Sequence, residues 1–419
     1  MTIDYSTVDF LRDESLIDDP YPYYEFVRSQ GTVWREPHRG AFIVTGYQAL
    51  CTVFRDSDIF SSCNGFAGPF HDMPQTGLDD VSDLIDNTRD QFAFHQYLVT
   101  FDPPTHSAHR GLMMPLLNSK QIQENSEALG RLADELIDRF ASAGTCDFVA
   151  EYAQPFSLLA IADLLGVPDE DRLRLRETIV ANGPVGSLRE GPKENPLWYL
   201  EDFFRPYIEE RRRHPRDDAL TTVALASFPD GSTPELMDAV RAAAFLFAGG
   251  QGTAARFQVG ALQTIAERPE LQERLRSDPQ LISQFIEEML RWGSPTKISF
   301  RMARKSTTLD GVHIPAGSTI MLFISAADRD PHQFECPAEF RIDRPDSRQH
   351  VAFGRGAHTC PGGPLVRAEG RITIQKTLDR LHDIRVSEAE HGAPGARRWK
   401  YTPSYILRGV ECLHLEFST

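Results

Sequence analysis

Apolar residues recur at helical spacing over most of this chain, and short alternating runs interrupt them. Tyr21 to Ser29 predicts a helix. Thr32 to Trp34 and Ala41 to Thr45 predict a strand pair around the turn at His38 to Gly40. Residues 64 to 98 follow neither period and are rich in Gly, Asp and Phe. From Pro104 to about Ser227 the pattern is mostly helical. Leu236 to Glu267 then predicts one long helix, ~48 Å at 1.5 Å per residue. Pro269 to Arg276 and Pro279 to Trp292 predict two more. Short strands are expected around Leu309 to Ile314 and Thr319 to Phe323. A helical run follows from Leu365 to Arg380, then strand-like Tyr405 to Leu407 and Cys412 to Phe417. The pattern is mainly α with small β-sheets set to one side.

Composition narrows the class. The 419 residues are 41% hydrophobic and 25% charged, ample for a large core. That length allows two or three domains, but no low-complexity linker or repeat divides the chain, and residues 1–419 are expected to form a single domain. The net charge of −16 disfavours nucleic acid and anionic membrane as partners. No apolar run reaches the ~18 residues of a membrane span. The opening Met-Thr-Ile-Asp-Tyr-Ser lacks a basic-then-apolar signal pattern. Six scattered cysteines suit a reducing compartment better than a disulfide framework. A soluble cytoplasmic protein is expected.

The chemistry concentrates in Phe353-Gly354-Arg355-Gly356-Ala357-His358-Thr359-Cys360-Pro361-Gly362. One cysteine sits in a glycine-rich turn ahead of a helix. Glycines let the backbone fold round the sulfur with amide N–H groups pointing at it, and the helix N-terminus favours thiolate over thiol. That suits a thiolate ligand to haem iron, with Phe353 shielding it from water. Two plainer readings compete. Cys360 is a buried structural cysteine, or His358 and Cys360 are half of a zinc site, which lacks a second close Cys/His pair.

On this motif, and over essentially the whole chain, the sequence resembles the bacterial cytochrome P-450 family of haem-thiolate monooxygenases. The resemblance implies a triangular, mostly helical prism enclosing haem b, with Cys360 as the axial ligand and Gly249 and Gly362 against the cofactor. It implies a buried acid-x-x-Arg pair at Glu288 and Arg291. The family's third partner is usually an arginine just before a phenylalanine; here Glu339 precedes Phe340, and Arg341 or Arg344 is left to stand in. His106, Arg110, Arg301 and His358 fall where the haem propionates need donors.

The resemblance places an oxygen-site threonine at Thr253, sixteen residues before Pro269, in Gly249-Gly250-Gln251-Gly252-Thr253. Mid-helix glycines cost ~1 kcal/mol each relative to alanine. Either they allow close helix packing or the helix opens there to admit dioxygen and water. The family usually carries an acid before this threonine. Gly252 stands in its place, so proton delivery must use water, Gln251 or the substrate.

The substrate pocket is expected to draw on Phe66, Phe70, Phe92 and Phe94, on Ala248 and Gly249, on Thr296 and Ile298, and on Tyr405 and Ile406. Lys297 is read as a solvated lysine. Arg355, Arg367 and Arg371 form either a basic docking patch for an acidic ferredoxin or an ordinary solvated face. With no flavin or reductase segment after the haem part, electrons are expected from a separate ferredoxin and ferredoxin reductase, and one oxygen atom from dioxygen is expected to enter a small, largely apolar molecule. A peroxide-driven, coupling or desaturating enzyme is an alternative that Gly252 suggests. A non-catalytic haem sensor or carrier is another, and Thr253 argues against it.

Overall fold

The longest helical pattern forms one unbroken helix, Leu236–Ala266, in a computed structural model that describes residues 3–65, 68, 77–117, 119–182, 195 and 197–419. A reciprocal capping box between Glu235 and Asp238 starts this central helix. Pro269, in the first turn of the next helix, Pro269–Ser277, marks the restart after it ends. About 53% of the described residues are helical, with small sheets, as the pattern of apolar positions requires.

The central helix is largely apolar around its circumference, because other elements cover most of it. It packs against Gln154–Leu165, Trp198–Arg213 and Gly363–Arg380. Gly363–Arg380 also packs against Leu281–Trp292. One apolar cluster, with Phe257, Phe285, Ile286 and Ile374, joins these last helices. A second, with Phe204, Phe247 and Ile161, lies on the other side of the central helix.

A five-stranded sheet closes one side. Val33–Arg35 pairs antiparallel with Phe42–Val44, and that strand runs parallel to Thr319–Leu322. Ser299–Ala303 follows antiparallel, with Arg301 opposite Ile320, and Phe60–Ser61 forms the edge. A three-stranded sheet joins Thr145–Asp147, His414–Ser418 and His382–Val386.

Two expected strands differ. Leu309 to Ile314 is a hairpin of Thr307–Leu309 and Val312–Ile314. Asp310 and Gly311 turn it with positive φ (46° and 81°), the geometry of the tightest hairpin turns. Tyr405 to Leu407 makes only an isolated bridge, Thr296 to Leu407. Within residues 64 to 98, where no period is visible, a short helix at Ser82–Asn87 is followed by single 3₁₀ turns.

Candidate functional site

The cysteine loop is shaped by its backbone. The Cys360 N–H donates to the Phe353 carbonyl over 2.8 Å. Gly356 sits at φ +71°, and a Cβ there would lie 2.4 Å from the Phe54 carbonyl oxygen, so only glycine fits. The helix Gly363–Arg380 starts immediately after the loop. Cys360 keeps accessible surface, but that surface is cavity wall. Burial pushes its thiol up, while the Gly362 and Gly363 amides, Arg110 and Arg367 pull it down. A bound metal cation would ionise it outright. The Phe353 ring packs beside Gly363 and under the Arg367 guanidinium, which lies 4.9 Å from the ring centre.

A cavity of about 390 Å³ joins this loop to the central helix. Phe353, His358, Cys360 and Gly362 line it from the loop, and Ala248, Gly249, Gln251, Gly252 and Thr253 from the helix. Thr296, Ile298, Ile406 and Phe94 also line it. Phe92 does not. It packs instead with Cys63, Val81, Ile85 and Met302. Tyr405 is a core residue beside Phe300. Phe66 and Phe70 lie outside the described residues. Leu200, Phe245 and Ile161 also line the wall, and no sequence signal marks them for it. A cavity-facing leucine and a core leucine obey the same helical period.

Four cationic or donor side chains gather at one end. The His106 and His358 rings lie 3.9 Å apart between centroids. His358 Nε2 is 3.0 Å from the Phe101 carbonyl. Both ring nitrogens of His106 are buried without a partner among the described residues. Arg110 donates to the Thr359 carbonyl (2.7 Å) and Arg301 to that of Phe300 (2.6 Å). Burial, then repulsion from its cationic neighbours, pulls His106 down to about 4 and His358 down to about 2. Burial likewise lowers Arg301 to about 10, against an opposing pull from Asp102. His106, Arg110 and His358 line the cavity; Arg301 is not among the lining residues, and its guanidinium lies 5.3 Å from the ring centre of Phe54, which is. A cluster of buried donors that repel one another and leave ring nitrogens unpaired fits the two carboxylates of haem.

Away from this end, Glu288 and Arg291 are fully buried and doubly bonded, at 2.8 and 2.7 Å. The third partner is Arg344, whose Nε donates to Glu288 Oε1 over 3.1 Å. Arg341 contributes only its backbone N–H (2.9 Å), and Glu339 only its carbonyl, which accepts from Arg291. Lys297 is not solvated. It is 4% exposed, its Nζ donates to the Ser404 carbonyl (2.6 Å), and burial then Arg408 lower it to about 7. Its neighbours Thr296 and Ile298 line the cavity, whereas the Lys297 ammonium is directed to the Ser404 carbonyl and lies 5.7 Å from the Phe10 ring centre.

The glycines of the central helix have separate reasons. A Cβ on Gly250 would press Ile161 at 3.3 Å, whereas one on Gly249 would meet open cavity. The helix does not open here. Thr253 Oγ1 donates back to the Gly249 carbonyl over 2.9 Å. Of the proposed docking arginines, Arg355 is tied to the carbonyls of Gln349 and His350, and Arg367 to Glu287 through two bonds; Arg371 is exposed. His391, Cys412 and His414 bring ligand atoms within 4.8 Å, but His391 Nε2 already accepts the His414 backbone N–H (2.9 Å).

A helical fold around a cavity that holds one cysteine thiol and a carboxylate-seeking cluster defines a haem-thiolate protein. The cytochrome P450 family model matches residues 197–382. Cytochrome P450 144 of Mycobacterium tuberculosis is 32% identical, over 99% of this chain and 92% of that protein. Steroid C26-monooxygenase of Mycolicibacterium smegmatis is 31% identical, over 94% and 92%. The structure of cytochrome P450 CYP150A6 of Mycobacterium marinum, in its substrate-free form, is 47% identical, with a TM-score of 0.92 over 99% of both chains. The chain belongs to the cytochrome P450 family. It is a monooxygenase of the oxidoreductase class and binds haem b through a cysteine thiolate. No described helix is long and apolar enough to cross a membrane.

Proposed function

We propose that residues 1–419 form one cytoplasmic catalytic domain, that Cys360 is the thiolate ligand, and that the cavity takes a small, largely apolar molecule. The observation that carries this is the shared cavity wall. The Cys360 thiol and the Thr253 segment face one space whose remaining walls are mostly apolar. Haem b supplies reductive activation of dioxygen and insertion of one oxygen atom. Its two electrons come from NADH through a ferredoxin reductase and a ferredoxin, for which exposed Arg371 and the rim of the cysteine loop offer a contact.

The protein's own groups position and protonate. His106, Arg110, Arg301 and His358 hold the propionates, and Phe353 screens the sulfur. Thr253 and Gln251 hold water for proton transfer at the cavity wall, since Gly252 carries no acid. A peroxide-driven variant of the same chemistry is favoured by that one substitution. The test is the carbon monoxide spectrum of the reduced protein. Wild type shows the band of thiolate-ligated haem and Cys360→Ala loses it. An unchanged band in the variant would reject Cys360.

A further inference from the structure

We propose that the cavity takes an apolar carboxylic acid and that Arg256 holds its carboxylate. Arg256 lies on the central helix one turn beyond Thr253 and lines the cavity. A guanidinium has five N–H donors. Among the described residues one bond is made, from Nη1 to the Gly252 carbonyl over 2.8 Å. The Nε is buried without a partner, and no carboxylate among the described residues lies within ion-pair distance. Burial with no anion beside it pulls this arginine below its ordinary range.

Two glycines make room for it. A Cβ at Gly409 would lie 2.7 Å from Arg256 Cγ and 3.0 Å from Cδ. One at Gly252 would lie 3.2 Å from Nη1. The acid missing before Thr253 is therefore missing where the guanidinium sits. The other basic side chains on the cavity wall, Arg110, His106 and His358, belong to the propionate cluster. Among the described residues the one carboxyl on the wall is Glu369. It accepts from Gln258 Nε2 (3.3 Å), and burial raises it to about 8, which favours its uncharged form over the carboxylate. An unpaired buried guanidinium is costly, and a planar carboxylate matches its fork. The rest of the cavity wall, with Ile406, Leu407 and Phe245 among its apolar residues, suits the rest of the acid.

This deepens the haem-thiolate reading and rests on it. The test titrates the ferric holoprotein with dodecanoic acid and naphthylacetic acid, each against its methyl ester, by Soret shift and by calorimetry. The acids are expected to bind roughly ten- to hundredfold more tightly than the esters. Arg256→Gln is expected to bring acid and ester to parity. Gly252→Asp, which keeps the arginine but gives it an internal partner, should do the same, and it decides the matter if Arg256→Gln fails to fold. Equal affinities in wild type, no binding by either acid, a preference that survives both variants, or loss of haem in Arg256→Gln would overturn the proposal. The carbon monoxide band of the same samples separates the two readings. Its absence from wild type condemns haem-thiolate ligation, while calorimetry still reads the acid preference.

Discussion

Arg344 Nε donates to Glu288 Oε1 across 3.1 Å, and neither side chain meets solvent. Glu288 thereby accepts from two arginines and from the Arg341 backbone. Arg291 and Arg344 in turn fasten the carbonyls of Asp328, Pro337, Glu335 and Cys336. Removing Arg344 leaves Glu288 paired with Arg291 but takes away its own buried bonds to Glu288 and to the Glu335, Cys336 and Glu339 carbonyls. Arg344→Ala is expected to cost about 2 to 4 kcal/mol, measured by denaturant unfolding, with haem lost at lower denaturant. Arg344→Lys should recover little, because an ammonium cannot span these acceptors. A variant with wild-type stability would show that the triad has no structural role.

Arg110→Ala and Arg301→Ala should each loosen haem. The rate at which a competing apoglobin withdraws it is expected to rise roughly tenfold, equivalent to about 1.4 kcal/mol. Full occupancy and unchanged withdrawal in both variants would remove these arginines from the propionate site.

Thr253→Ala should lower product formed per NADH consumed, with hydrogen peroxide appearing in its place and a changed solvent isotope effect. Gln251→Ala should do the same to a smaller degree. Unchanged coupling in both would move the proton path away from this segment and onto the substrate.

Lys297 has a folded-state pKa of about 7 against an ordinary 10.5. Between those values the unfolded chain binds the proton that the folded one has released. Stability therefore rises as pH climbs from about 7, and the gain is complete above the unfolded value. Lys297→Met should flatten that rise and add about 2 to 4 kcal/mol at neutral pH. Thermal unfolding across the window measures it; a parallel pH profile in the variant would remove Lys297 as the source.

The sequence reported long-period features well. The central helix, the helix after Cys360 and the Glu288–Arg291 spacing are regular enough to place from apolar period and motif alone. It reported poorly wherever three-dimensional neighbours decide. Lys297 resembles any strand lysine until Ser404 and Phe10 close over it. Phe92 and Phe94 are two residues apart, and their local pattern does not tell which ring faces the cavity. Arg256 looks like an ordinary helix arginine. Only the fold shows that Gly252 and Gly409, far apart in sequence, both yield space to it.

The contact between Gly356 and the Phe54 carbonyl has a consequence for how the protein is made. The two positions are roughly 300 residues apart, about 15 to 60 s of synthesis at ordinary translation rates. The amino-terminal half of the clamp leaves the ribosome long before its counterpart exists. The cysteine loop takes its shape only after residue 356 has been made, so cofactor capture follows synthesis of the fold that precedes it. Truncated or stalled chains would then carry the early strands and helices but no competent socket for the prosthetic group.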